Sequence, residues 1–415
     1  MNHEKVTEEL SYMDQEKHVL ELKEMILDAA RRCRNCNYCI PSCPLFISTR
    51  GFMSQSPSGI MQAIRYAILW DMFETDNRED LRDLLYLCTT CNSCVLRCKS
   101  KATATPILDV IKAGRKLLLE MMIGPLPEQR RPLKDIYGRG NPYGESPQKR
   151  LDWLGDIEVK RLPHDTAEVL YFVGCTTAYE YKLHGLGRNL VRLLQALKVD
   201  FGVLENEECC GEPARRLGDE ALFHEMVSRN VEQFIGSGVT TLITTSPHCF
   251  SAFLNEYPFL ADKFKIQHYT QFLADHLKKN APKFKKTTRT ITYHDPCYLG
   301  KHNQVFEPPR EILQMIPGFN LIEMPMTRED SLCCGGGGGR MYAEVEDEPR
   351  LAQMRVRQAL EVGAEILVTA CPWCHTMLQN AAEDLDLMEK AAVKDIADIL
   401  CETLDFANFS RSTAG

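Results

Sequence analysis

Eight of the eighteen cysteines fall into two identical spacings. Cys33, Cys36, Cys39 and Cys43 form one C-x2-C-x2-C-x3-C run, and Cys88, Cys91, Cys94 and Cys98 form another. Thiolates at that spacing bind cubane 4Fe-4S clusters, and two runs imply two clusters. In paired runs the fourth cysteine serves the other cluster. Cys33, Cys36, Cys39 and Cys98 are therefore expected around one, and Cys88, Cys91, Cys94 and Cys43 around its neighbour. Zinc also accepts four thiolates, but it takes them as two C-x2-C pairs and rarely with a third cysteine two residues on. Pro44 closes the first run, as is usual for this motif, and Lys99 stands there in the second, a change in a turn and not in a ligand. The expected chemistry is electron transfer.

A second set of cysteines repeats at long range. Cys297 lies 122 positions after Cys175, the pair Cys333 and Cys334 lies 124 after Cys209 and Cys210, and Cys374 lies 125 after Cys249. Offsets held that closely imply two copies of one structural unit. Each adjacent pair is followed by a glycine, Gly211 or Gly335, which supplies a sharp turn and lets the backbone approach inorganic sulfide. The copies differ in their closing motif, which reads Ser246-Pro-His-Cys249 in the first and Cys371-Pro-Trp-Cys374 in the second.

The elements that carry these residues follow from periodicity. ELKEMILDAARR, PSGIMQAIRYAILWDMF, REDLRDLLYLC and TPILDVIKAGRKLLLEMM have helical spacing, giving a helical ferredoxin-like domain over 1–123. The Pro- and Gly-rich stretch 124–163 reads as a linker. Beyond it, short apolar runs before Cys175, Cys249, Cys297 and Cys374 read as buried strands alternating with amphipathic helices. Copy 1 spans 164–285 and copy 2 spans 286–415, each with a mostly parallel sheet. The fold class is α plus α/β, with the cysteines at the carboxyl ends of strands, where open α/β sheets place their sites.

The C-x35-CCG-x35-C-P-W-C pattern from Cys297 to Cys374 resembles the CCG domain of heterodisulfide reductases. Over about residues 25 to 400 the chain resembles the heterodisulfide reductase D subunit and the iron-sulfur subunits of glycolate oxidase and anaerobic glycerol-3-phosphate dehydrogenase. The resemblance implies a noncubane 4Fe-4S cluster on Cys297, Cys333, Cys334, Cys371 and Cys374, the site of disulfide chemistry in the reductases. Copy 1 keeps four cysteines, Cys175, Cys209, Cys210 and Cys249, which leaves it open between a further 4Fe-4S cluster and a metal-free remnant. Either His248 or Ser246 replaces the missing thiolate, or His248 packs beside the site. In Tyr-His-Asp-Pro-Cys, His294 and Asp295, with His302 nearby, either donate protons to a leaving thiolate or tune the site by hydrogen bonding.

Composition narrows the rest. A chain of 415 residues with 44% hydrophobic content can form two or three domains. The net charge of -8 argues against nucleic acid as a partner, and the basic stretch 278–289 reads as a solvated connector. Clustered cysteines of metal-type spacing point to a reducing, cytoplasmic setting. No stretch approaches the roughly 18 to 20 apolar residues of a membrane span, so membrane contact is expected only through partner subunits. Gly335 to Gly339 lack a preceding strand and the downstream acid of a nucleotide loop. They read as a flexible wrap beside Cys334, with Arg340 offsetting cluster charge. Cys401 reads as a buried small hydrophobe. With no flavin or nicotinamide site visible, electrons are exchanged with another subunit. The resemblance implies flavin-containing or membrane cytochrome-type partners. The expected function is that of an electron-transfer subunit linking cubane and CCG clusters. The alternative is a disulfide reductase acting on a small thiol or a protein disulfide.

Overall fold

The computed structural model describes residues 3–99, 107–343 and 350–406 and divides into two compact units. The first is built from Met1–Arg130 with two short returns of the chain, Pro213–Glu220 and the described part of Gly337–Glu348. Its helices His3–Arg31, Pro57–Leu69, Arg78–Tyr86 and Ile107–Glu120 pack on one another. Apolar residues three and four apart, among them Leu22, Ile26, Ile60, Ile64, Leu81, Leu85, Ile111 and Leu118, are withdrawn from water between them. Gly114 permits the closest crossing, since a Cβ there would lie 2.4 Å from Ile64 Cδ1 and 2.5 Å from Leu85 Cδ2.

Within this unit Arg115, fully buried, gathers carbonyls from three parts of the chain. It donates to Leu85 (2.8 Å), Cys88 (2.6 Å), Arg216 (2.8 Å) and Gly338 (2.8 Å). Tyr86 adds a hydrogen bond to the Leu217 carbonyl at 2.7 Å, and Gln129 one to Gly339 at 3.0 Å. The glycine run allows this approach. A Cβ on Gly337 would sit 2.4 Å from the Thr89 oxygen, and one on Gly338 2.2 Å from that of Cys88. Arg340, read as a countercharge beside Cys334, donates to the Leu87 carbonyl at 3.2 Å.

The second unit holds two parallel sheets. The first sheet contains β1 (Lys160–Leu162), β2 (Val169–Phe172), β3 (Phe201–Leu204), β4 (Thr241–Thr244) and β5 (Lys265–His268), in the order β1-β3-β2-β4-β5. The other contains β6 (Arg289–Tyr293), β7 (Phe319–Leu321), β8 (Ile366–Thr369) and β9 (Ala392–Asp395), in the order β7-β6-β8-β9. β2 to β5 and β6 to β9 are the same four strands twice, in matching order. Residues of both sheets, including Tyr171, Ile243, Tyr293 and Val368, belong to one apolar core. The helix closing each copy packs on the first long helix of the other: Ile396–Thr403 against His184–Ala196, and Tyr269–Asn280 against Glu307–Gln314.

The stretch 124–163, expected as a linker, carries the helix Pro127–Arg139 and strand β1, and Trp153 and Leu154 are fully buried in the second unit's core. Proline and glycine mark breaks but do not show what lies between them. Pro132 is accommodated inside the helix, and β1 joins the sheet through Lys160 to Leu162 paired with Gly202 to Leu204. The boundary between units falls at Arg130. Among the described residues no helix is long and apolar enough to cross a membrane.

Candidate metal centres

The first unit gathers its eight run cysteines around two cavities. Cys33, Cys36, Cys39 and Cys98 line one, with Asn35, Asn37 and Ser58. Cys43, Cys88, Cys91 and Cys94 line the other, with Thr89, Thr90 and Asn92. Each cavity thus takes its fourth cysteine from the other run. Both loops bend in the same way, with left-handed backbone at Asn35 (φ 50°) and Asn37 (φ 61°) in the first run and at Thr90 (φ 52°) and Asn92 (φ 69°) in the second. Asparagine tolerates that conformation, but threonine, being β-branched, does so rarely, and the strain at Thr90 is stored next to the cavity. The bend turns amides toward sulfur, and Thr90 N–H donates to Cys88 Sγ at 3.4 Å.

In the second unit the remaining site cysteines sit past the carboxyl ends of strands, as the parallel order requires. Cys175, Cys209, Cys210 and Cys249 are buried in copy 1, and Cys297, Cys333, Cys334, Cys371 and Cys374 in copy 2. Positive φ at Gly211 (75°) and Gly335 (91°) turns each pair, and each glycine N–H donates to the first sulfur of its pair, Cys209 at 3.4 Å and Cys333 at 3.3 Å. Ser246 occupies in copy 1 the place of Cys371. Each caps a helix by accepting the N–H three residues on, from Cys249 and Cys374 respectively, both at 3.5 Å.

The donor set fits iron. Burial pushes the Cys39 thiol up to about 11 and raises Cys43, Cys94 and Cys175. Thiols so disposed keep their protons at neutral pH until a cation replaces them, and binding then releases those protons. In copy 2, hydrogen bonds from Cys333 and Cys374 hold the Cys334 thiol low, and Cys374, which gives its bond to Cys334 at 3.4 Å, is held high. A ring nitrogen of His294 and the sulfurs of Cys334 and Cys374 all lie within 4.8 Å of one another.

The polar residues near each site are held by their own partners. Asp295 is clamped by Arg310 in a two-pronged ion pair (2.7 and 2.9 Å), both side chains buried. His302 stacks on Tyr298, with ring centroids 4.2 Å apart. His248 Nδ1 pairs with Glu212 Oε1 at 3.0 Å, and its ring packs against Tyr298 (4.0 Å) and Trp373 (4.3 Å). Arg150 and Glu207, absent from the sequence reading, stand beside copy 1. Arg150 reaches Cys175 Sγ at 3.5 Å and pairs with Glu207, whose carboxylate also accepts the Val173 and Gly174 N–H groups at 2.8 Å. Arg355 was missed likewise, since a lone arginine in a helix-period run gives no signal. Cys401, outside every site, donates to the Asn189 carbonyl at 3.4 Å.

Comparison with known proteins agrees with this arrangement. Residues 29–102 match the 4Fe-4S dicluster domain, and residues 169–253 and 291–379 each match the cysteine-rich domain CCG. The chain is 31% identical over 408 residues to the D subunit of the dihydromethanophenazine:CoB–CoM heterodisulfide reductase of Methanosarcina barkeri, covering 94% of this chain and 96% of that one. It is 34% identical to an EtfAB:quinone oxidoreductase of Syntrophomonas wolfei, covering 78% of this chain and 47% of the other. It is 32% identical to a probable iron-sulfur-binding oxidoreductase, FadF, of Bacillus subtilis, covering 77% and 46%. The chain spans about half the length of these last two relatives.

Proposed function

Because the chain belongs to the iron-sulfur oxidoreductase family of the heterodisulfide reductase D subunit, we propose that it is the electron-transfer subunit of a larger redox complex. When bound, two cubane clusters in the first unit and one noncubane cluster in copy 2 supply one-electron carriers. The chain's own residues assign the rest. Cys33, Cys36, Cys39 and Cys98 would hold one cubane and Cys43, Cys88, Cys91 and Cys94 the other. Cys297, Cys333, Cys334, Cys371 and Cys374 would hold the noncubane cluster, and Cys175, Cys209, Cys210 and Cys249 a further 4Fe-4S cluster. Cys36 is exposed while Cys39, Cys43, Cys91 and Cys94 are buried, which makes the Cys36 side of the first site the port for a partner. The name of one relative, an EtfAB:quinone oxidoreductase, favours an EtfAB-type or quinone-linked subunit as that partner.

The observation that carries the relay reading is Ser246 in the place of Cys371. A hydroxyl is a poor iron ligand beside a thiolate, so the two CCG copies are not equal sites able to take one sulfur each from a disulfide. The buried His248 ring of copy 1 stacks on Tyr298 and packs at a tilt against Trp373, both of copy 2. The alternative, disulfide reduction at copy 2 alone, rests on the complete set of five cysteines there.

Anaerobic iron and sulfide quantification with EPR separates the two. Relay predicts about twelve to sixteen irons per chain and electron flow from a reduced flavoprotein to a quinone or dye that is lost in Cys36→Ser, with no new signal on adding thiol and oxidant. A thiol-dependent paramagnetic signal, lost in Cys374→Ser while the cubane spectra persist, would instead establish disulfide chemistry.

A further inference from the structure

Among the buried hydrogen-bond donors of copy 2 that meet no acceptor, two lie side by side. His294 is 1% exposed and its Nε2 meets no acceptor, and Arg355 is 0% exposed and its Nη2 meets none. The two side chains touch: Arg355 Nε donates to His294 Nδ1 at 3.2 Å. A guanidinium nitrogen can only donate, so Nδ1 is the accepting nitrogen and the ring proton sits on Nε2. Arg355 is fixed in turn, through Nη1, to the Met326 carbonyl at 2.6 Å and to Gln358 Oε1 at 2.9 Å. The ring is anchored from the other side, its own backbone N–H donating to Val368 at 2.8 Å.

A buried donor without an acceptor costs about 1 to 3 kcal/mol, so such groups persist where something absent from the polypeptide completes them. What lies beside this pair is sulfur, because the His294 ring comes within 4.8 Å of Cys334 and Cys374. Copy 1 lacks the device. Phe172 stands three residues before Cys175, as His294 stands three before Cys297, and it packs edge-on against Phe253 at 4.8 Å. The difference between the copies is therefore one of polarity at an equivalent position.

We propose that His294, set in its Nε2–H tautomer by Arg355, is a positioning residue that donates a hydrogen bond to the sulfur of the copy 2 cluster. It raises the potential of that cluster and neither ligates iron nor carries the proton of the reaction. The inference rests on the reading that copy 2 binds a cluster. Hydrogen bonds to cluster sulfur favour the reduced, more negative state, which is the direction claimed. Arg355 acts through His294 and by its own unpaired Nη2–H.

The test is an anaerobic redox titration of the full chain followed by EPR, with iron counted in every sample. In His294→Phe and in Arg355→Met the copy 2 signal is expected to titrate at a lower potential, with iron content and the cubane potentials unmoved. His294→Gln, which keeps an N–H donor, should recover much of the loss, and the wild-type copy 2 potential should not change between pH 6 and pH 8. Three results would overturn the proposal: an unmoved potential in both His294→Phe and Arg355→Met, loss of copy 2 iron in both His294 variants (a ligand role), or a wild-type potential that falls steadily with pH and ceases to do so in His294→Phe. Wild-type protein with no iron on copy 2 would be a different failure, that of the functional reading itself, and is visible before any variant is made.

Discussion

Trp373 and His248 hold the same position in the two CCG copies, and their rings meet at 4.3 Å. Each also reaches the residue that follows the first cysteine of the opposite copy. His248 stacks on Tyr298 at 4.0 Å, and Trp373 donates its indole N–H to Thr176. Reciprocal contacts between equivalent positions make the two copies one body about a local two-fold axis, in the way a symmetric dimer pairs a patch with itself.

That pairing should be measurable. Trp373→Phe loses the hydrogen bond to Thr176 and is expected to cost about 1 to 2 kcal/mol. A double-mutant cycle of Trp373→Leu with His248→Ala, which removes both rings, should show a coupling of about 0.5 to 1.5 kcal/mol, the range of aromatic pairs. Denaturation midpoints of the four proteins supply the cycle, and strict additivity would mean that the rings are neighbours without interacting.

The crossed cysteine sets give a second prediction. Cys98→Ser should perturb the cluster shared with Cys33, Cys36 and Cys39, while Cys43→Ser should perturb the one shared with Cys88, Cys91 and Cys94. Each should lose about four irons, and the EPR signal left in one variant should be the signal missing from the other. Identical residual spectra would contradict the crossing.

Restoring the fifth cysteine is a gain-of-function test. Ser246 already sits at the N-cap that Cys371 fills in copy 2, so Ser246→Cys needs no backbone change. The variant is expected to convert the copy 1 spectrum toward that of copy 2 without altering the cubane signals. An unchanged spectrum would show that copy 1 does not hold iron in the manner of copy 2.

Asp395 makes stability depend on pH. It is fully buried, accepts a hydrogen bond from Tyr269 at 2.6 Å, and caps the helix Ile396–Thr403 through the Ala397 N–H at 2.9 Å. Burial, then the nearby Asp398, pushes its carboxyl up to about 8 from 3.8. Between those values the unfolded chain has released this proton while the folded one keeps it. Its contribution is therefore complete below about pH 4 and falls as pH rises toward 8, by up to about 1.4 kcal/mol per pH unit. Asp395→Asn keeps the cap and removes the titration. Its melting temperature should fall less than that of the wild type between pH 5 and pH 8, and parallel profiles would refute the assignment.

Much of this site was legible in the residues. The cysteine runs, the repeat offset and the Cys-Cys-Gly turns are local patterns fixed by ligand geometry, and the structure brings those residues together as spaced. Arg115, Arg150, Glu207 and Arg355 were not legible, because each acts on groups 25 to 223 positions away through single hydrogen bonds that leave no periodic trace. Stretch 124–163 was obscured by its own composition, since its prolines and glycines sit at turns around a helix and a strand rather than in a free connector. Asp295 was left open by its place in Tyr-His-Asp-Pro-Cys between proton donation and hydrogen bonding, and its partner Arg310, fifteen residues on, gave no signal in the motif.

Arg115 ties the peptide of Cys88 to carbonyls of residues 216 and 338. The housing of the second cubane site is therefore finished by chain that the ribosome makes more than two hundred residues later. At about 5 to 20 residues per second, a nascent chain spends ten seconds or more with those eight cysteines present and their enclosure incomplete. Scaffold proteins that deliver clusters thus have a defined interval in which to work, and a gene cut after residue 130 would encode all eight ligands without the segments that Arg115 holds against Cys88.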